Sequence, residues 1–295
     1  MEGFFTVKEV LEKYIGGCQA KSGMSSNRLF GKAVLAGMMI AMGAAASSVA
    51  AHTISDVGLS RLAAAVVFPV GLMMVILLGA ELFTGDCLVA LGVMDGKMSI
   101  KDAVRILAAV YFGNFVGATL LAVLIALSGQ LNYSAGLLGA YTIKVAAGKT
   151  SISFGTGVAS GILCNILVCA AVLMAMCAKN VTGKLLASFF VIMLFVTAGF
   201  EHCVANMYYI TAGLLAKCNP DYVQLAMSHY GCTAEQLEGL NFTGYFISNL
   251  LPVTIGNVLG GILGIGAPLF YLNTNKSILP RKVLKKEDKK HVTAH

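Results

Sequence analysis

The chain has 295 residues, of which 57% are hydrophobic and only 12% are charged, and its formal net charge is +7. Soluble domains carry about 25% charged residues, so this composition excludes a soluble globular protein and predicts several membrane spans of roughly 20 apolar residues each. The positive charge does not indicate nucleic-acid binding, because most Lys and Arg residues flank apolar segments or follow the last one. The eight cysteines form no C-x-x-C pair, so neither a metal site nor a cofactor is expected.

The chain begins with an amphipathic stretch, residues 1–28, which is predicted to form a helix along the inner membrane surface. A transmembrane domain over residues 29–272 and a basic cytoplasmic tail over 273–295 follow. The apolar segments of that domain run over residues 29–51, 62–79, 86–94, 103–127, 152–178, 185–199, 204–215 and 249–272.

Two pairs of these segments are too short to span a membrane separately. The pair at 62–94 is interrupted by Glu-Leu-Phe-Thr-Gly-Asp at 81–86, and the pair at 185–215 by Phe-Glu-His-Cys at 200–203. Each pair is predicted to form one broken helix, so the chain has six spans and an all-α fold. Gly-Ala-Glu at 79–81 and Gly-Phe-Glu at 199–201 relate the two halves as inverted three-helix repeats, which points to a transport site near the bilayer midplane.

The distribution of basic residues predicts the orientation. With both termini in the cytoplasm, 17 of the 21 Lys and Arg residues lie inside and 4 outside. This is the bias of a multi-pass protein of the cell inner or plasma membrane. A polar loop over residues 218–240 then lies outside, where it is predicted to form a small helix. Cys218 and Cys232 within it are predicted to be free thiols, with a disulfide between them as the alternative.

The polar residues of the two breaks are the candidate functional groups. Non-helical backbone in a membrane must line a cavity or be buried in protein, and helix N-termini there attract anions. His202 is the intramembrane side chain whose ordinary pKa lies near neutrality, so it is predicted to exchange a proton with a substrate, and Thr84 in the other break offers a hydroxyl. Glu81 and Glu201 are predicted to accept N–H bonds from unwound backbone, and Asp86 to cap the second half-helix.

Lys149 is either a flanking charge or an attractor of anions, and its spacing alone does not decide between the two roles. Asn114, Asn165 and Asn257 are expected to hydrogen-bond across helices, while Gly117 and Gly260 allow close helix packing.

Four motifs resemble signatures of the formate–nitrite transporter family. They are Gly-Ala-Glu-Leu-Phe-Thr at 79–84, Val-Tyr-Phe-Gly-Asn-Phe-Val-Gly at 110–117, Gly-Phe-Glu-His-Cys-Val-Ala-Asn at 199–206 and Leu-Pro-Val-Thr-Ile-Gly-Asn at 251–257. The resemblance covers residues 4–271 and departs from the family pattern at Asp86, where a less acidic residue is expected.

This resemblance implies an aquaporin-like protomer, a homopentamer with one pore per subunit, and a channel for formate and related small monovalent anions. Thr84 corresponds to the threonine of the family's Ω-shaped loop, His202 to the central pore histidine and Lys149 to the basic residue of the outer vestibule. Asn165 and Asn257 match positions that hydrogen-bond around the histidine. The resemblance implies apolar constrictions at Leu72, Leu82, Phe83, Val168 and Phe195.

The expected mechanism is proton-linked. Moving a bare anion through apolar constrictions costs several kcal/mol or more. Protonating the anion of a weak acid costs only about 4 kcal/mol when the ambient pH lies three units above the pKa of that acid. Formate, protons and lipid are therefore the expected partners, with nitrite or hydrosulfide as the alternative substrate. The sequence leaves open the direction of flux and the choice between channel and symporter. An aquaporin would carry two Asn-Pro-Ala turns and an intramembrane protease paired aspartates or His-Glu-x-x-His, and neither pattern is present.

Overall fold

A computed structural model describes residues 3–274, and over this range the protein is built from helices. The tail predicted over residues 273–295 lies outside the described residues except for its first two. The helices, numbered here in chain order, are α1 (Val7–Ser22), α2 (Ser26–Ala51), α3 (Val57–Leu78), α4 (Phe83–Met94), α5 (Ile100–Leu127), α6 (Leu137–Thr150), α7 (Phe154–Cys177), α8 (Val181–Ala198), α9 (Cys203–Lys217), α10 (Pro220–Ser228), α11 (Ala234–Gly239) and α12 (Gly244–Asn273).

Six of these helices are long and apolar enough to cross a membrane, namely α2, α3, α5, α7, α8 and α12. The predicted interruptions are confirmed, because α3 continues as α4 and α8 as α9 after short breaks. Gly79 and Gly199 end the first half-helices in the left-handed conformation, with φ of 65° and 75°. Only glycine adopts that conformation without strain, so these two residues fix where each helix breaks.

Each half of the chain contributes three spans, so the second half is inverted relative to the first, as the sequence predicts. The packing is equivalent in the two halves. A Cβ atom on Gly117 of α5 would overlap the carbonyl oxygen of Val34 in α2, and one on Gly260 of α12 would overlap that of Ile162 in α7. The third span of each half therefore packs backbone to backbone on the first, which small residues make feasible. The all-α, aquaporin-like protomer of two inverted repeats is thus confirmed.

Helix α6 has no counterpart among the apolar segments recognised in the sequence. It buries eight residues, including Thr142 and Ala146, and it packs so closely on α9 that a Cβ atom on Gly213 would overlap the Ala146 side chain. Its sequence mixes lysine and threonine with small apolar residues, and for this reason hydropathy did not distinguish it from a connection. The loop over 218–240 similarly forms two short helices, α10 and α11, rather than one, and Cys218 and Cys232 are free thiols.

The position predicted for α1 is wrong in one respect. Its apolar residues Val10, Leu11 and Ile15 are at most 3% exposed and pack on α4, α7 and the end of α12, not on lipid. Phe5 extends this attachment, because its backbone N–H donates to the carbonyl of Cys177 at 2.8 Å. Helix α1 therefore belongs to the protein core, and it lies at the same end of the molecule as Thr274, which lines a cavity together with Lys8.

Candidate functional site

The two breaks meet in the middle of the molecule at a buried hydrogen bond. Thr84, in the first turn of α4, and His202, the N-cap of α9, are 0% and 3% exposed, and Thr84 Oγ1 lies 2.9 Å from His202 Nε2. In the register of the repeats His202 corresponds to Leu82, which is the N-cap of α4. Thr84 and His202 therefore occupy positions that are not equivalent in the two repeats, although the helix breaks themselves are equivalent.

The capping role of His202 fixes its tautomer. Its Nδ1 accepts the backbone N–H of Ala205 at 3.0 Å, so this nitrogen carries no proton in the neutral ring. The ring proton therefore sits on Nε2 and is donated to Thr84 Oγ1. The threonine hydroxyl keeps its own proton available, since no acceptor for it is found in the part of the chain that the structure describes. An anion that reaches Thr84 would meet this donor.

An asparagine holds the backbone of each break. Asn257 Oδ1 accepts the N–H of Cys203 at 2.9 Å, and Asn257 Nδ2 donates to the carbonyls of Gly161 and Glu201 at 2.8 and 3.0 Å. The side chain thus satisfies backbone groups on both sides of His202. Asn257 positions the histidine without touching its ring.

Asn114 makes the same three bonds around the other break. Its Oδ1 accepts the N–H of Phe83 at 2.9 Å, and its Nδ2 donates to the carbonyls of Ala33 and Glu81 at 2.8 and 3.0 Å. The sequence presented Asn114 only as a generic helix-packing residue. Its place in a repeated Gly-Asn-x-x-Gly motif, shared with Asn257, was the signal that could have identified this role.

Asn165 connects the two breaks. Its Nδ2 donates to the carbonyl of Thr84 at 3.1 Å and to that of Asn257 at 2.6 Å. Cys169, one turn further along α7, also approaches the Thr84 carbonyl, at 3.3 Å. The position of the threonine is therefore determined from α7, and neither asparagine predicted to surround the histidine bonds to the imidazole itself.

The predicted role of the two glutamates is wrong. Their carboxylates bind lysines and not the unwound backbone. Glu201 accepts from Lys149 Nζ at 3.0 Å through both oxygens, and Glu81 accepts from Lys21 Nζ at 2.5 Å. The asparagines already satisfy the backbone, so the glutamates are free to pair with cations.

Asp86 is not an N-cap, contrary to the prediction. It lies in the first turn of α4, where Oδ1 accepts from Lys21 Nζ at 2.6 Å. Lys21 is one of the residues that sequence analysis missed. Burial disfavours its charged form, but the neighbouring carboxylates of Asp86 and Glu81 outweigh that effect and raise its pKa. Lys21 is therefore a permanent cation.

Two cavities approach the Thr84–His202 pair from opposite ends. We name them after their lysines. The Lys149 cavity, of about 230 Å³, reaches His202 and is lined by polar residues that include Ser47, Ser48, Arg61, Asn206 and Tyr209. The Lys21 cavity, of about 200 Å³, lies beneath α1 and is lined by residues that include Tyr14, Gly79, Glu81, Gly85 and Asp86. The pair with its neighbours separates the two spaces.

The structure distributes the five predicted constriction residues among these spaces. All five are at most 5% exposed. Leu72 and Leu82 line the Lys21 cavity, and Phe195 lines the Lys149 cavity with its ring centroid 6.0 Å from that of His202. Phe83 and Val168 line neither cavity, and the Phe83 ring packs on Tyr111 at 4.9 Å. Phe68, which was not predicted, lines the Lys149 cavity instead.

Lys149 lies in the last turn of α6, at the wall of its cavity, and its charge is compensated. Besides Glu201, its Nζ lies 5.3 Å from the centroid of the Tyr209 ring, a cation–π distance. Arg61, in the same cavity, donates at 3.4 Å to the carbonyl of Thr197. Two cations line the cavity, and Glu201, the partner of Lys149, is the one carboxylate paired with them, so the net charge is positive and the field favours anions.

The fold and the site define a class of protein. Six apolar spans, two matched helix breaks and two cavities that meet at a buried polar pair form the architecture of a membrane channel or transporter. No cluster of three or more His, Cys, Asp or Glu side chains able to hold a metal ion occurs within residues 3–274.

Comparison with known proteins specifies the family. The formate/nitrite transporter family model matches residues 8–271, so the chain belongs to that family and is a transport protein, not an enzyme. Formate channel FocA of Haemophilus influenzae is 37% identical over 217 residues, which cover 73% of this chain and 75% of that protein. The probable formate transporter of Methanothermobacter thermautotrophicus is 32% identical over 276 residues, covering 86% and 93%.

Solved structures show the same fold. A pentameric formate channel with formate bound superposes with a TM-score of 0.74 at 32% identity and covers 84% of this chain and 98% of its own. An FNT family ion channel superposes with a TM-score of 0.77 at 26% identity and covers 90% and 99%. The family predicted from four motifs is confirmed.

Proposed function

We propose that the protein is a homopentameric channel that conducts formate and related small monovalent anions together with a proton, through His202 and Thr84. The observation that carries this proposal is the position of the Thr84–His202 pair, buried between two cavities that each contain a lysine. The names of the relatives, which are a formate channel and a probable formate transporter, support formate as the substrate, and the pentameric neighbour supports the assembly.

The electrostatics of the Lys149 cavity favour entry of the anion but not its passage. Arg61, Lys149 and the N-terminus of α9 attract negative charge, whereas the surroundings of the Thr84–His202 pair are apolar side chains such as Phe195 and Leu72. Burying a bare anion there costs several kcal/mol or more, and protonating it first costs about 4 kcal/mol when its pKa lies three units below ambient pH. The acid form therefore crosses at lower cost.

The hydrogen bonds at His202 supply a path for that proton. An anion about 4 Å from the ring stabilises the imidazolium by about 4 kcal/mol at an effective dielectric constant of 20. A proton that enters at Nδ1 replaces the Ala205 bond, the Nε2 proton passes to Thr84 Oγ1, and the Thr84 proton passes to the carboxylate. His202 gains one proton and loses one, so one anion and one proton become one neutral acid.

The orientation belongs to the same proposal. The distribution of basic residues favours cytoplasmic termini, which would place the Lys21 cavity at the cytoplasm and the Lys149 cavity outside. Cys218 is exposed and lies at the α9–α10 junction, so a membrane-impermeant maleimide should label it in intact cells, and Cys218→Ser should remove the label. If Cys218 is labelled only after the membrane is permeabilised, this residue lies in the cytoplasm and the proposed orientation is wrong.

Flux into proteoliposomes tests the function. We expect formate uptake faster than nitrite or hydrosulfide uptake and increasing as pH falls. His202→Phe and Thr84→Val should lose the increase, while Thr84→Ser, which keeps the hydroxyl, should retain it. If nitrite or hydrosulfide crosses the membrane faster than formate, that anion and not formate is the preferred substrate. Unchanged pH dependence in a pentameric His202→Phe protein would contradict the proton relay.

A further inference from the structure

A three-residue cluster with at least two members in the cavity wall lies at each cavity, and the two clusters correspond in the inverted repeat. Each lysine lies five residues before the first span of its half of the chain, because α2 begins at Ser26 and α7 at Phe154. Each glutamate is followed five residues later by a third polar side chain. The clusters are Lys21–Glu81–Asp86 and Lys149–Glu201–Asn206. The clusters differ in kind only at the third residue.

Asn206 is neutral and firmly oriented. Its Nδ2 donates to Glu201 Oε2 at 2.6 Å and to Asn249 Oδ1 at 2.8 Å, so the assignment of nitrogen and oxygen in its amide is fixed by two acceptors. The amide therefore adds no charge to the Lys149 cavity.

Asp86 places a carboxylate at the corresponding position. Its Oδ1 accepts from Lys21, but its Oδ2 is buried and has no hydrogen-bond partner within the described residues. The residue is only 5% exposed and lines the Lys21 cavity. An unpaired buried carboxylate oxygen is costly, and a bound proton removes the charge that causes the cost.

The charges around Asp86 differ in their capacity to titrate. The groups facing it are Lys21, Cys18 and Tyr14 of α1, Glu81 of the break, Cys87 of α4 and Cys169 of α7. The pKa of Lys21 is raised, as described above. Burial raises the pKa of Cys18 to about 11 and that of Tyr14 well above its usual value. The α1 groups thus keep their charge states between neutral and acidic pH.

The two carboxylates share Lys21 unequally. Glu81 has a second cation, because Lys32 Nζ lies 3.5 Å from its Oε1. Asp86 has only Lys21 among the ion pairs of the described residues. Asp86 Oδ2 accepts no hydrogen bond within the described residues, so a proton that binds to this cluster binds at that oxygen.

We infer that Asp86 is a proton-binding residue that controls entry of anions into the Lys21 cavity. The charge balance includes Lys32, the second partner of Glu81. With Asp86 ionised, Lys21 and Lys32 are balanced by two carboxylates, and the four groups have no net charge. With Asp86 protonated, they carry one net positive charge, as do Arg61, Lys149 and Glu201 at the opposite cavity. Anion binding from this side then requires a proton, whereas binding from the Lys149 side does not. This inference rests on the proposed anion transport.

Inside-out and right-side-out vesicles measure the two faces separately. At the face of the Lys21 cavity, the formate concentration for half-maximal flux should increase about tenfold per pH unit above the titration of Asp86, equivalent to about 1.4 kcal/mol per unit. At the other face this increase should be missing. Asp86→Asn, which reproduces the chemistry of Asn206, should remove the difference between the faces, and Glu12→Gln, an acid at the same end that lines a separate cavity, should leave it.

A spectroscopic measurement separates this inference from the transport proposal. Infrared difference spectra of the wild-type pentamer should show the C=O band of a protonated carboxyl group that titrates with pH and is missing in Asp86→Asn. The same band should persist in His202→Phe, in which formate flux is impaired. A titrating band that survives in Asp86→Asn, or a half-saturation profile of Asp86→Asn identical to wild type, would overturn the inference.

Discussion

Replacing Asn257 by alanine tests the main structural claim, that asparagine side chains hold the helix breaks. The substitution removes three hydrogen bonds of 2.8–3.0 Å and leaves the N–H of Cys203 and two carbonyls without their partner. Side-chain hydrogen bonds contribute about 0.6 kcal/mol each in membrane proteins and about 1 kcal/mol in soluble ones. The expected loss is therefore about 2 to 3 kcal/mol of unfolding free energy.

The assay is reversible unfolding in mixed micelles followed by circular dichroism. Asn114→Ala should lose as much stability as Asn257→Ala, because its three hydrogen bonds, of 2.8–3.0 Å, are equivalent.

Asn273→Ala serves as the control, since that side chain makes a single bond, to the carbonyl of Leu269 at 2.8 Å near the end of α12. It should lose well under half as much stability as either substitution in the breaks. A loss below about 1 kcal/mol in both Asn114→Ala and Asn257→Ala would refute the claim that these side chains hold the breaks.

Three further predictions concern other parts of the structure. Lys149→Gln leaves the partly buried Glu201 without its cation, so it should lower stability by about 1 to 3 kcal/mol, and adding Glu201→Gln should restore part of the loss, as a double-mutant cycle in chemical unfolding would measure. Gly117→Ala inserts a methyl group into the α2–α5 contact and should abolish the folded oligomer in size-exclusion chromatography, whereas Gly155→Ala, which meets open space, should not. Burial raises the pKa of Cys18 to about 11, so its alkylation in folded protein should stay slow up to pH 9, and rapid alkylation at pH 7 would contradict the packing of α1.

The sequence predicted the six spans and both breaks because each break repeats a Gly-x-Glu motif between apolar segments too short to cross a membrane. It also brought Thr84 and His202 together as candidates. It did not reveal their direct hydrogen bond, because the repeat register pairs His202 with Leu82. Side-chain contacts between distant segments depend on how the halves pack, which no local pattern encodes.

The errors in the candidate site have a common physical origin. A carboxylate next to a helix break is a natural acceptor for free N–H groups, and on that basis Glu81 and Glu201 were expected to hold the backbone. The asparagines on the third span of each half satisfy those groups instead, so the glutamates pair with lysines from α1 and α6. Helix α6 was not recognised, and α1 was expected on the membrane, so neither ion pair was predictable.

The attachment of α1 changes how the chain divides into modules. Tyr14 donates to the carbonyl of Gly85 at 3.3 Å, and Lys21 neutralises carboxylates that are otherwise enclosed by apolar side chains. A protein shortened to residues 29–272 would retain all six spans and yet contain two buried acids without their principal cation. The segment before the first span is therefore part of the wall of the Lys21 cavity, and the six spans alone do not complete that wall.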